Sequence, residues 1–451
     1  MFTDIQLNER LQKALDAQGI STPTPVQAAT IQPALDGKDL MISAVTGSGK
    51  TYAFLLPILQ RFIETPAPRS ATRALILVPT RELAEQVSKS CDQLAAFTQI
   101  KSLSVFGGVG FKEQAAKLRK NPEVLVATPG RLIEHLEKRS VDLSDLEVLV
   151  LDEADRMLDM GFSDDVLKIA TECRTERQTL LFSATLDTGD ISHLTKQVMR
   201  DPEALLLSNA KTQVKAIAQQ IILADDQKHK ERLLDKLLSD TPFDRALIFT
   251  NTRTAADQLG NILRYHKHRT AVLHGDMDQP QRRLVLQRFR DKSISILVAT
   301  DVAARGLDIE GVDLVVNFMM ARSGDDYVHR IGRTGRAGQE GTAVSFISAA
   351  EWNLMCSIER YLKVKFERRQ IPGLEGSFKG PTHTKSSGKS VGKKKRQDTK
   401  KKEVEKPKVK NRLRDQKAIG KRRQPQALKP EASKPEAVDH GFAPLKRKTT
   451  E

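Results

Sequence analysis

Ala44-Val-Thr-Gly-Ser-Gly-Lys50-Thr51 lies between an aliphatic run at residues 39–44 and a helical pattern, and it sets the fold class of the chain. Its glycines allow backbone N–H groups to turn toward a phosphate, and the helix that follows adds a favourable dipole. Lys50 would neutralise the outer phosphates of a nucleotide, and the Thr51 hydroxyl would coordinate Mg²⁺. The common pattern has Gly where this loop has Ala44. We therefore predict a nucleotide-binding loop in an α/β domain.

Aliphatic runs alternate with helical patterns along most of the chain. The first series of runs lies at residues 39–44, 73–78, 103–106, 124–127, 148–151, 179–182 and 204–207. The second series lies at residues 220–223, 246–249, 270–273, 294–298, 314–317 and 343–347. Continuous Val, Ile and Leu runs separated by helices are typical of parallel sheets that are buried on both faces. Two series predict two α/β domains, at residues 1–208 and 219–371, joined by a polar linker at 209–218.

The net charge of +16 is concentrated at the C-terminal end. Residues 372–451 contain 24 Lys and Arg against 9 Asp and Glu, whereas residues 1–371 contain 49 against 48. Such a self-repelling segment cannot bury enough surface to offset its ordering entropy, so we predict a disordered basic tail at 372–451. Nucleic acid is favoured as its partner over a membrane surface or a role in solubility alone. The reason is that counterion release rewards several phosphate contacts, while apolar anchors are sparse.

Other features exclude several protein classes. The three cysteines, Cys91, Cys173 and Cys356, lie far apart, which excludes a disulfide scaffold and gives no zinc-ribbon spacing. No apolar run approaches the ~18 residues that a membrane span requires. The N-terminal residues lack the basic start and apolar core of a signal peptide. We therefore expect a cytoplasmic protein without a membrane partner.

Leu149-Val-Leu-Asp152-Glu153-Ala154-Asp155 is an aliphatic strand that ends in carboxylates. Asp152 at the strand end could bind Mg²⁺, directly or through water, and Glu153 could orient or deprotonate an attacking water. A solvated acidic turn is the alternative. The phosphate-binding loop in the same domain favours the catalytic interpretation.

The second domain contains His329-Arg330-Ile-Gly-Arg333-Thr-Gly-Arg336 but no phosphate-binding loop of its own. A helix would place Arg333 and Arg336 on one face. Paired arginines in such a domain suggest arginine fingers that reach an ATP held by the first domain. A basic surface turn is the alternative for this motif taken alone.

Together with further segments in the same order, these motifs resemble the DEAD-box RNA helicases over nearly all of residues 1–371. The further segments are Gly19-Ile-Ser-Thr-Pro-Thr-Pro-Val-Gln27, Pro79-Thr-Arg-Glu-Leu-Ala84, Gly107-Gly108, Thr128-Pro-Gly-Arg131, Ser183-Ala-Thr185, Leu247-Ile-Phe-Thr-Asn-Thr252, Gln279 with Arg282, and Ala299-Thr-Asp-Val-Ala-Ala-Arg-Gly-Leu-Asp308. Two positions depart from the family, since Ile20 replaces the usual aromatic and Thr250 a more usual apolar residue. The resemblance implies two tandem RecA-like domains and an RNA-dependent ATPase that uses ATP and Mg²⁺.

The resemblance also implies a role for each matching residue. ATP would be bound by Phe2 and Gln27 at the adenine, and by Thr46, Gly47, Ser48, Gly49, Lys50, Thr51, Gly306 and Asp308. Catalysis would use Lys50, Asp152, Glu153, Arg333 and Arg336, with Mg²⁺ held by Thr51 and Asp152. The two activities would be coupled by Asp155, Ser183, Thr185 and His329. The RNA backbone would be contacted by Pro79, Thr80, Arg81, Gly107, Gly108, Thr128, Gly130, Arg131, Gln279, Arg282, Thr300 and Asp301.

The implied mechanism is closure of two domains on ATP and RNA, which couples the two affinities. A bent single strand cannot stay in a regular duplex, so closure predicts local unwinding of short duplexes. Residues 412–423 resemble a basic element of the SrmB-like bacterial subfamily, which acts in assembly of the large ribosomal subunit; the RhlE-like subfamily is the rival. We expect a monomeric core whose partners are ribosomal RNA and ribosomal proteins or pre-ribosomal particles. The alternatives are an ATP-gated RNA clamp that unwinds little, or a role in RNA decay or cold adaptation.

Overall fold

A computed structural model of the chain describes residues 2, 5–44, 47–67, 71–186, 189–207, 217–304, 312–335 and 341–381. The first domain has seven described strands: β1 Leu40–Ser43, β2 Ala74–Leu77, β3 Ser102–Val105, β4 Val124–Ala127, β5 Val148–Leu151, β6 Gln178–Ser183 and β7 Glu203–Leu206. Its described helices are α1 Glu9–Asp16, α2 Pro25–Leu35, α3 Lys50–Glu64, α4 Arg81–Leu94, α5 Phe111–Leu118, α6 Pro129–Glu137, α7 Ala154–Asp159, α8 Ser163–Glu172 and α9 Gly189–Val198. Each predicted strand of this series is present.

The second domain repeats the alternation of strands and helices. Its described strands are β8 Ile217–Leu223, β9 Ala246–Thr250, β10 Thr270–Leu273, β11 Ile296–Thr300, β12 Leu314–Asn317, β13 Gly341–Ile347 and β14 Glu367–Arg368. Its described helices are α10 Gln227–Asp240, α11 Arg253–Tyr265, α12 Gln279–Arg290, α13 Asp301–Ala304, α14 Gly324–Ile331 and α15 Trp352–Leu362. The predicted strands are again all present, and β14 is an addition.

Both sheets are parallel and buried on both faces, which confirms the predicted pair of RecA-like domains. Their strand orders are equivalent, β3-β4-β2-β5-β6-β1-β7 and β10-β11-β9-β12-β13-β8-β14. Alternate side chains of β5 pack into two different apolar clusters, with Val148 and Val150 in one and Leu149 and Leu151 in the other. A strand that is covered on both faces needs apolar residues at every position, which is why it appears as a continuous aliphatic run.

The strand order divides the carboxyl edge of the first sheet into two halves. The phosphate-binding loop and the acidic motif follow β1 and β5, on the half formed by β5, β6 and β1. The segments at residues 79–82, 107–108 and 128–131 follow β2, β3 and β4, on the other half. Ligands of parallel α/β sheets bind beyond the carboxyl ends of the strands. The fold therefore provides one edge with two adjacent places for a ligand.

The packed part of the second domain continues past residue 371, where the sequence predicts the tail to begin. We call residues 366–380 the C-terminal strap. Asp225 accepts hydrogen bonds from the backbone N–H of Ser377 at 2.9 Å and of Phe378 at 2.7 Å. The Phe378 ring meets the Trp352 ring edge-on, with centroids 6.0 Å apart. The structure therefore places the end of the domain beyond residue 371, because isolated apolar residues in a basic segment still find partners.

The linker and tail predictions fall mainly on other parts of the chain. Strand β8 begins at Ile217, inside the predicted linker at 209–218, and residues 209–216 lie outside the described residues. Residues 382–451, most of the predicted tail, also lie outside them. Across the described ranges, no helix combines the length and the apolar character needed to cross a membrane.

Candidate active site between the two domains

The phosphate-binding loop is built around a glycine that has no room for a side chain. Gly49 precedes α3 and has a φ of +90°, a conformation that favours glycine. A Cβ atom there would lie 2.6 Å from Gln27 Nε2 and 2.8 Å from Thr24 Oγ1. Gly47 also has a positive φ, of 83°. The loop therefore needs glycine for its backbone conformation and for its close packing, whereas Thr46 lies outside the described residues.

The predicted adenine-side residues belong to a segment that is tied to this loop. Thr24 and Gln27 form a capping box at the start of α2, in which the Thr24 N–H donates to Gln27 Oε1 at 2.9 Å. Gln27 Nε2 donates to the Gly49 carbonyl at 3.1 Å. Phe2 is buried in the core of the first domain, and its N–H donates to the Ser21 carbonyl at 3.3 Å. Phe2 is therefore hydrogen-bonded to the segment at residues 21–27 that contains Gln27, and Gln27 links this segment to the phosphate-binding loop.

A buried lysine–carboxylate pair occupies the edge between β1 and β5. Lys50 Nζ lies 3.7 Å from Asp152 Oδ1, and the two side chains are 7% and 4% exposed. Burial raises the pKa of Asp152 to about 6, although the nearby Lys50 opposes the shift. Burial also raises the pKa of Asp155. The pocket therefore holds carboxylates whose charge the protein compensates only in part.

These groups fit Mg²⁺. A hard divalent cation prefers oxygen ligands, and in nucleotide sites it is held by one or two protein oxygens together with phosphates and water. Thr51 follows Lys50 in the first turn of α3, and Asp152 comes directly after the end of β5. Among the described residues, no cluster of three or more His, Cys, Asp or Glu side chains could enclose a metal ion. Two oxygen ligands from the protein suit a cation whose remaining ligands come from a nucleotide and water.

Glu153 sits on a strained turn. Its backbone is left-handed, with φ 52° and ψ 49°, which is uncommon for a residue with a side chain. Its N–H donates to Asp152 Oδ1 at 2.9 Å. Its Oε2 lies 3.3 Å from Arg156 Nε, and both side chains are almost fully buried. A strained backbone of this kind persists only where surrounding contacts hold it in place. Here the contacts with Asp152 and Arg156 hold Glu153 in this conformation beside Asp152.

Asp155 and the Ser183–Thr185 segment are connected, but through the backbone. Asp155 Oδ2 accepts a hydrogen bond from the Ala184 N–H at 3.3 Å. The Ser183 hydroxyl instead turns onto its own segment, donating to the Thr185 carbonyl at 2.6 Å and accepting from the Thr185 N–H at 3.2 Å. His329, the fourth predicted coupling residue, lines a small cavity between the domains.

The arginine motif contains a buried organising residue that sequence reasoning missed. Arg330 is 1% exposed and makes a two-pronged contact with Asp301, at 2.6 and 2.8 Å. It also donates to Asn251 Oδ1 and to the Met319 carbonyl, both at 2.7 Å. Asp301, which the resemblance assigns to RNA, is thus held inside its own domain. A guanidinium with this many partners fixes the start of the following turn.

Arg333, the next arginine of the motif, is 2% exposed and lines the same cavity as His329. Arg336, Gly306 and Asp308 lie outside the described residues. Of the residues that the second domain is predicted to present to ATP, the structure therefore places Arg333 alone among its described parts.

In the first domain, two arginines flank the predicted glycine turn. A Cβ atom on Gly108 would collide with the Arg81 guanidinium, and Gly108 has a φ of +86°. Arg131 Nη1 donates to the Val109 carbonyl at 2.9 Å. Thr80 caps α4, and Thr128 precedes α6, whose first residues include Gly130. The predicted RNA residues of this domain, from Pro79 onward, therefore form one continuous patch on the half-edge of β3, β4 and β2.

In the second domain, Gln279 and Arg282 face the first domain. Arg282 Nε donates to Glu82 Oε1 at 2.8 Å, and Gln279 Nε2 lies 3.5 Å from the same oxygen. Glu82 was not predicted as a site residue, although an acidic side chain in an otherwise RNA-facing segment is a signal that could have identified it. Thr300 is 7% exposed at the end of β11. The structure thus joins the two predicted halves of the RNA site through one carboxylate.

The chain is similar to known proteins over both domains. Residues 24–194 match the DEAD/DEAH box helicase family, and residues 229–338 match the helicase conserved C-terminal domain. The chain is 43% identical to the ATP-dependent RNA helicase SrmB of Escherichia coli over 382 residues, or 84% of this chain and 86% of the relative. It is 41% identical to SrmB of Haemophilus influenzae over 431 residues, or 94% and 98%. A solved structure of S. cerevisiae Dbp5 bound to RNA and ADP BeF3 has a TM-score of 0.75 and 29% identity, covering 82% of this chain and 95% of that one.

Proposed function

The chain belongs to the DEAD-box family of ATP-dependent RNA helicases, and on that premise we propose that it remodels ribosomal RNA during assembly of the bacterial large ribosomal subunit. The observation that carries the helicase mechanism is the division of the first sheet's edge. Residues suited to ATP lie beyond β5, β6 and β1, and residues suited to RNA lie beyond β3, β4 and β2. The second domain faces both halves, so one closing movement acts on both ligands.

On the ATP half, each residue has a physical role in hydrolysis. Lys50 neutralises the outer phosphates. Thr51 and Asp152 would hold Mg²⁺, which would supply positive charge against the phosphates. Glu153 orients and deprotonates the attacking water. Arg333, together with Arg336 of the same sequence motif, stabilises the charge that develops on the transferred phosphoryl group. Gly306 and Asp308 contact the nucleotide from the second domain.

On the RNA half, the contacts are directed to the backbone. Arg81 and Arg131 flank a glycine turn whose lack of side chains lets peptide N–H groups approach phosphates. Such contacts read charge and sugar rather than sequence, and a contact to the 2′-hydroxyl would select RNA over DNA. The choice of RNA target then depends on what holds the protein near a given RNA. The basic tail is the segment that would provide this attachment.

The domain arrangement supports a cycle of closing and opening. The overlap with Dbp5 bound to RNA and ADP BeF3 covers both domains of this chain. In the same arrangement the Glu82–Arg282 pair joins the two halves of the RNA site. ATP and RNA both favour this state, so each raises the affinity for the other. Hydrolysis and phosphate loss reopen the cleft, which limits unwinding to short duplexes.

The ribosomal role rests on the SrmB relatives. The Haemophilus influenzae relative aligns with 94% of this chain, a span that reaches into the basic tail as well as the two domains. Of the two bacterial subfamilies that the sequence leaves open, these relatives support the SrmB-like one. We further propose that the protein acts in the cytoplasm as a monomeric core, with ribosomal RNA and pre-ribosomal particles as its partners.

Three experiments test this function together. Crosslinking in the bacterium that encodes the chain should recover large-subunit ribosomal RNA, and deletion of the gene should accumulate incomplete large subunits on sucrose gradients. Crosslinks to messenger RNA with a normal ribosome profile would instead indicate RNA decay. With purified protein, ATP should release the strand of a short RNA duplex. A long-lived RNA complex without strand release would indicate a clamp.

A further inference from the structure

Arg156 is a buried cation whose contacts in its own domain are incomplete. It follows Asp155 in α7 and is 1% exposed. Its Nε lies 3.3 Å from Glu153 Oε2. Its Nη1 and Nη2 have no hydrogen-bond acceptor among the residues that the structure describes. An arginine stays charged when buried, and leaving its N–H groups without acceptors is unfavourable. Local packing alone does not account for this placement.

The side chain lines a cavity between the two domains. Arg156 comes from the first domain, and Asp301, Asp326, His329 and Arg333 come from the second. The cavity volume is about 10 Å³, enough for roughly one water molecule and too small for a phosphate group. The group that completes Arg156 must therefore be a water or a side chain of the second domain.

Two carboxylates of the second domain belong to this lining. Asp301 already accepts two hydrogen bonds from Arg330, at 2.6 and 2.8 Å. Asp326 lies in the first turn of α14, the helix that carries His329 and Arg330 into the arginine motif. A carboxylate on this helix moves together with the arginine motif when the domains close.

We propose that Arg156 is a positioning residue that couples domain closure to the orientation of Glu153. When bound ATP and RNA tighten the arrangement described here, Asp326, which lines the same cavity, accepts hydrogen bonds from Nη1 and Nη2 of Arg156. Because the guanidinium is planar and rigid, fixing these two atoms also fixes the direction of Nε, the atom that lies 3.3 Å from the Glu153 carboxylate. Glu153 is then held for the attacking water only when the arginine motif is in place. This inference rests on the role of Glu153 given in the proposed function.

The test is a double-mutant cycle in the full-length chain, read as RNA-stimulated ATPase at varied ATP. Arg156→Gln and Asp326→Asn should each lower kcat by about tenfold or more, because small misplacements of reacting groups have effects of this size. The KM for ATP should stay within about threefold, since uniform nucleotide binding is retained. The double variant should lose no more than the more severe single variant, because both changes break one contact.

Two further variants separate positioning from folding. Asp325→Asn removes the neighbouring carboxylate, which accepts from the Tyr361 hydroxyl at 2.6 Å, and should leave kcat unchanged. Arg156→Lys keeps the positive charge but lacks the planar guanidinium with its two outer N–H groups, so it should lower kcat as Arg156→Gln does. Arg156→Lys replaces Arg156→Gln in the cycle if the Gln variant does not fold. An unchanged kcat in the Arg156 variants, or losses that multiply in the double variant, would overturn the proposal. Wild-type ATPase without RNA stimulation would overturn the proposed function instead.

Discussion

Removing the charge of Glu82 should weaken RNA binding, because this carboxylate joins the two halves of the RNA site. Glu82 Oε1 accepts from Arg282 Nε at 2.8 Å, and the two side chains are 14% and 10% exposed. The substitution Glu82→Gln keeps the size of the side chain and an acceptor oxygen, but it removes the charge. The pair spans the two domains, so its loss affects the arrangement in which RNA and ATP are bound.

The expected size of the effect follows from the surroundings of the pair. Breaking a fully buried pair by removing one partner destabilises by about 3–5 kcal/mol. Here part of each side chain reaches solvent, and Arg282 keeps its hydrogen bonds to the carbonyls of His274 and Ala303, at 3.2 and 3.4 Å. We therefore expect about 1–2 kcal/mol, or a roughly 5- to 30-fold loss of affinity for RNA.

Fluorescence anisotropy of a labelled single-stranded RNA, with a non-hydrolysable ATP analogue present, measures this affinity directly. Glu85→Gln is the matched control, because Glu85 pairs with Arg283 across the same boundary but the side chains are 34% and 58% exposed. Exposed pairs contribute about 0–1 kcal/mol, so the control should change RNA affinity only a few-fold. Tighter binding by Glu82→Gln would show that the carboxylate competes with RNA for Arg282. Unchanged binding would show that the pair does not stabilise the RNA-bound arrangement.

Three further outcomes follow from the loop, the buried carboxylate and the strap. Gly49→Ala should lower ATP affinity by about tenfold or more, because the added side chain has no room. The control is Gly37→Ala, which has a φ of +81° but open space around it and should leave ATP affinity unchanged. Equal ATP affinities of the two variants in a nucleotide titration would contradict the role of Gly49. Burial raises the pKa of Asp152 to about 6 from 3.8, so ATPase at limiting Mg²⁺ should fall about tenfold per pH unit below 6. The folded chain also binds the Asp152 proton more tightly than the unfolded chain does. The free energy of unfolding should therefore fall as pH rises from about 4 to 6. ATPase activity and unfolding free energy that both stay constant with pH would contradict this prediction. A chain ending at residue 371 should melt about 5 °C or more below one ending at residue 381, because it loses most of the strap; equal melting temperatures would show that the strap adds no stability.

The sequence predicts the fold well because a parallel sheet that is covered on both faces leaves a local pattern in the sequence of each strand. Each strand needs a continuous aliphatic run, and all 13 predicted runs are strands in the structure. The two-residue strand β14 has no such run, since Glu367 and Arg368 are both exposed and pair only along the edge of β8. The strap was missed for a related reason, because a few apolar residues in a basic segment do not form a periodic pattern.

The candidate site was predicted in its residue types but not in its pairings. A glycine loop, an acidic strand end and paired arginines have chemistry that is evident from the side chains themselves. Glu82 and Arg330 pair with residues that are distant in sequence, and Arg156 lines a cavity together with residues of the second domain. No local pattern indicates such neighbours. The burial of Arg330 in particular follows from three different strand ends meeting at one point, which is a property of the topology.

RNA-stimulated ATPase of the full-length chain, of a chain ending at residue 381 and of Glu153→Gln tests most directly whether the two domains form an RNA-dependent engine. At saturating RNA, the first two should hydrolyse ATP at similar rates that depend strongly on RNA, and the shorter chain should need more RNA to reach that rate. Glu153→Gln should lose the stimulation while it still binds RNA and ATP. Hydrolysis that RNA does not stimulate, or that single-stranded DNA stimulates equally, would contradict a closed state assembled by RNA.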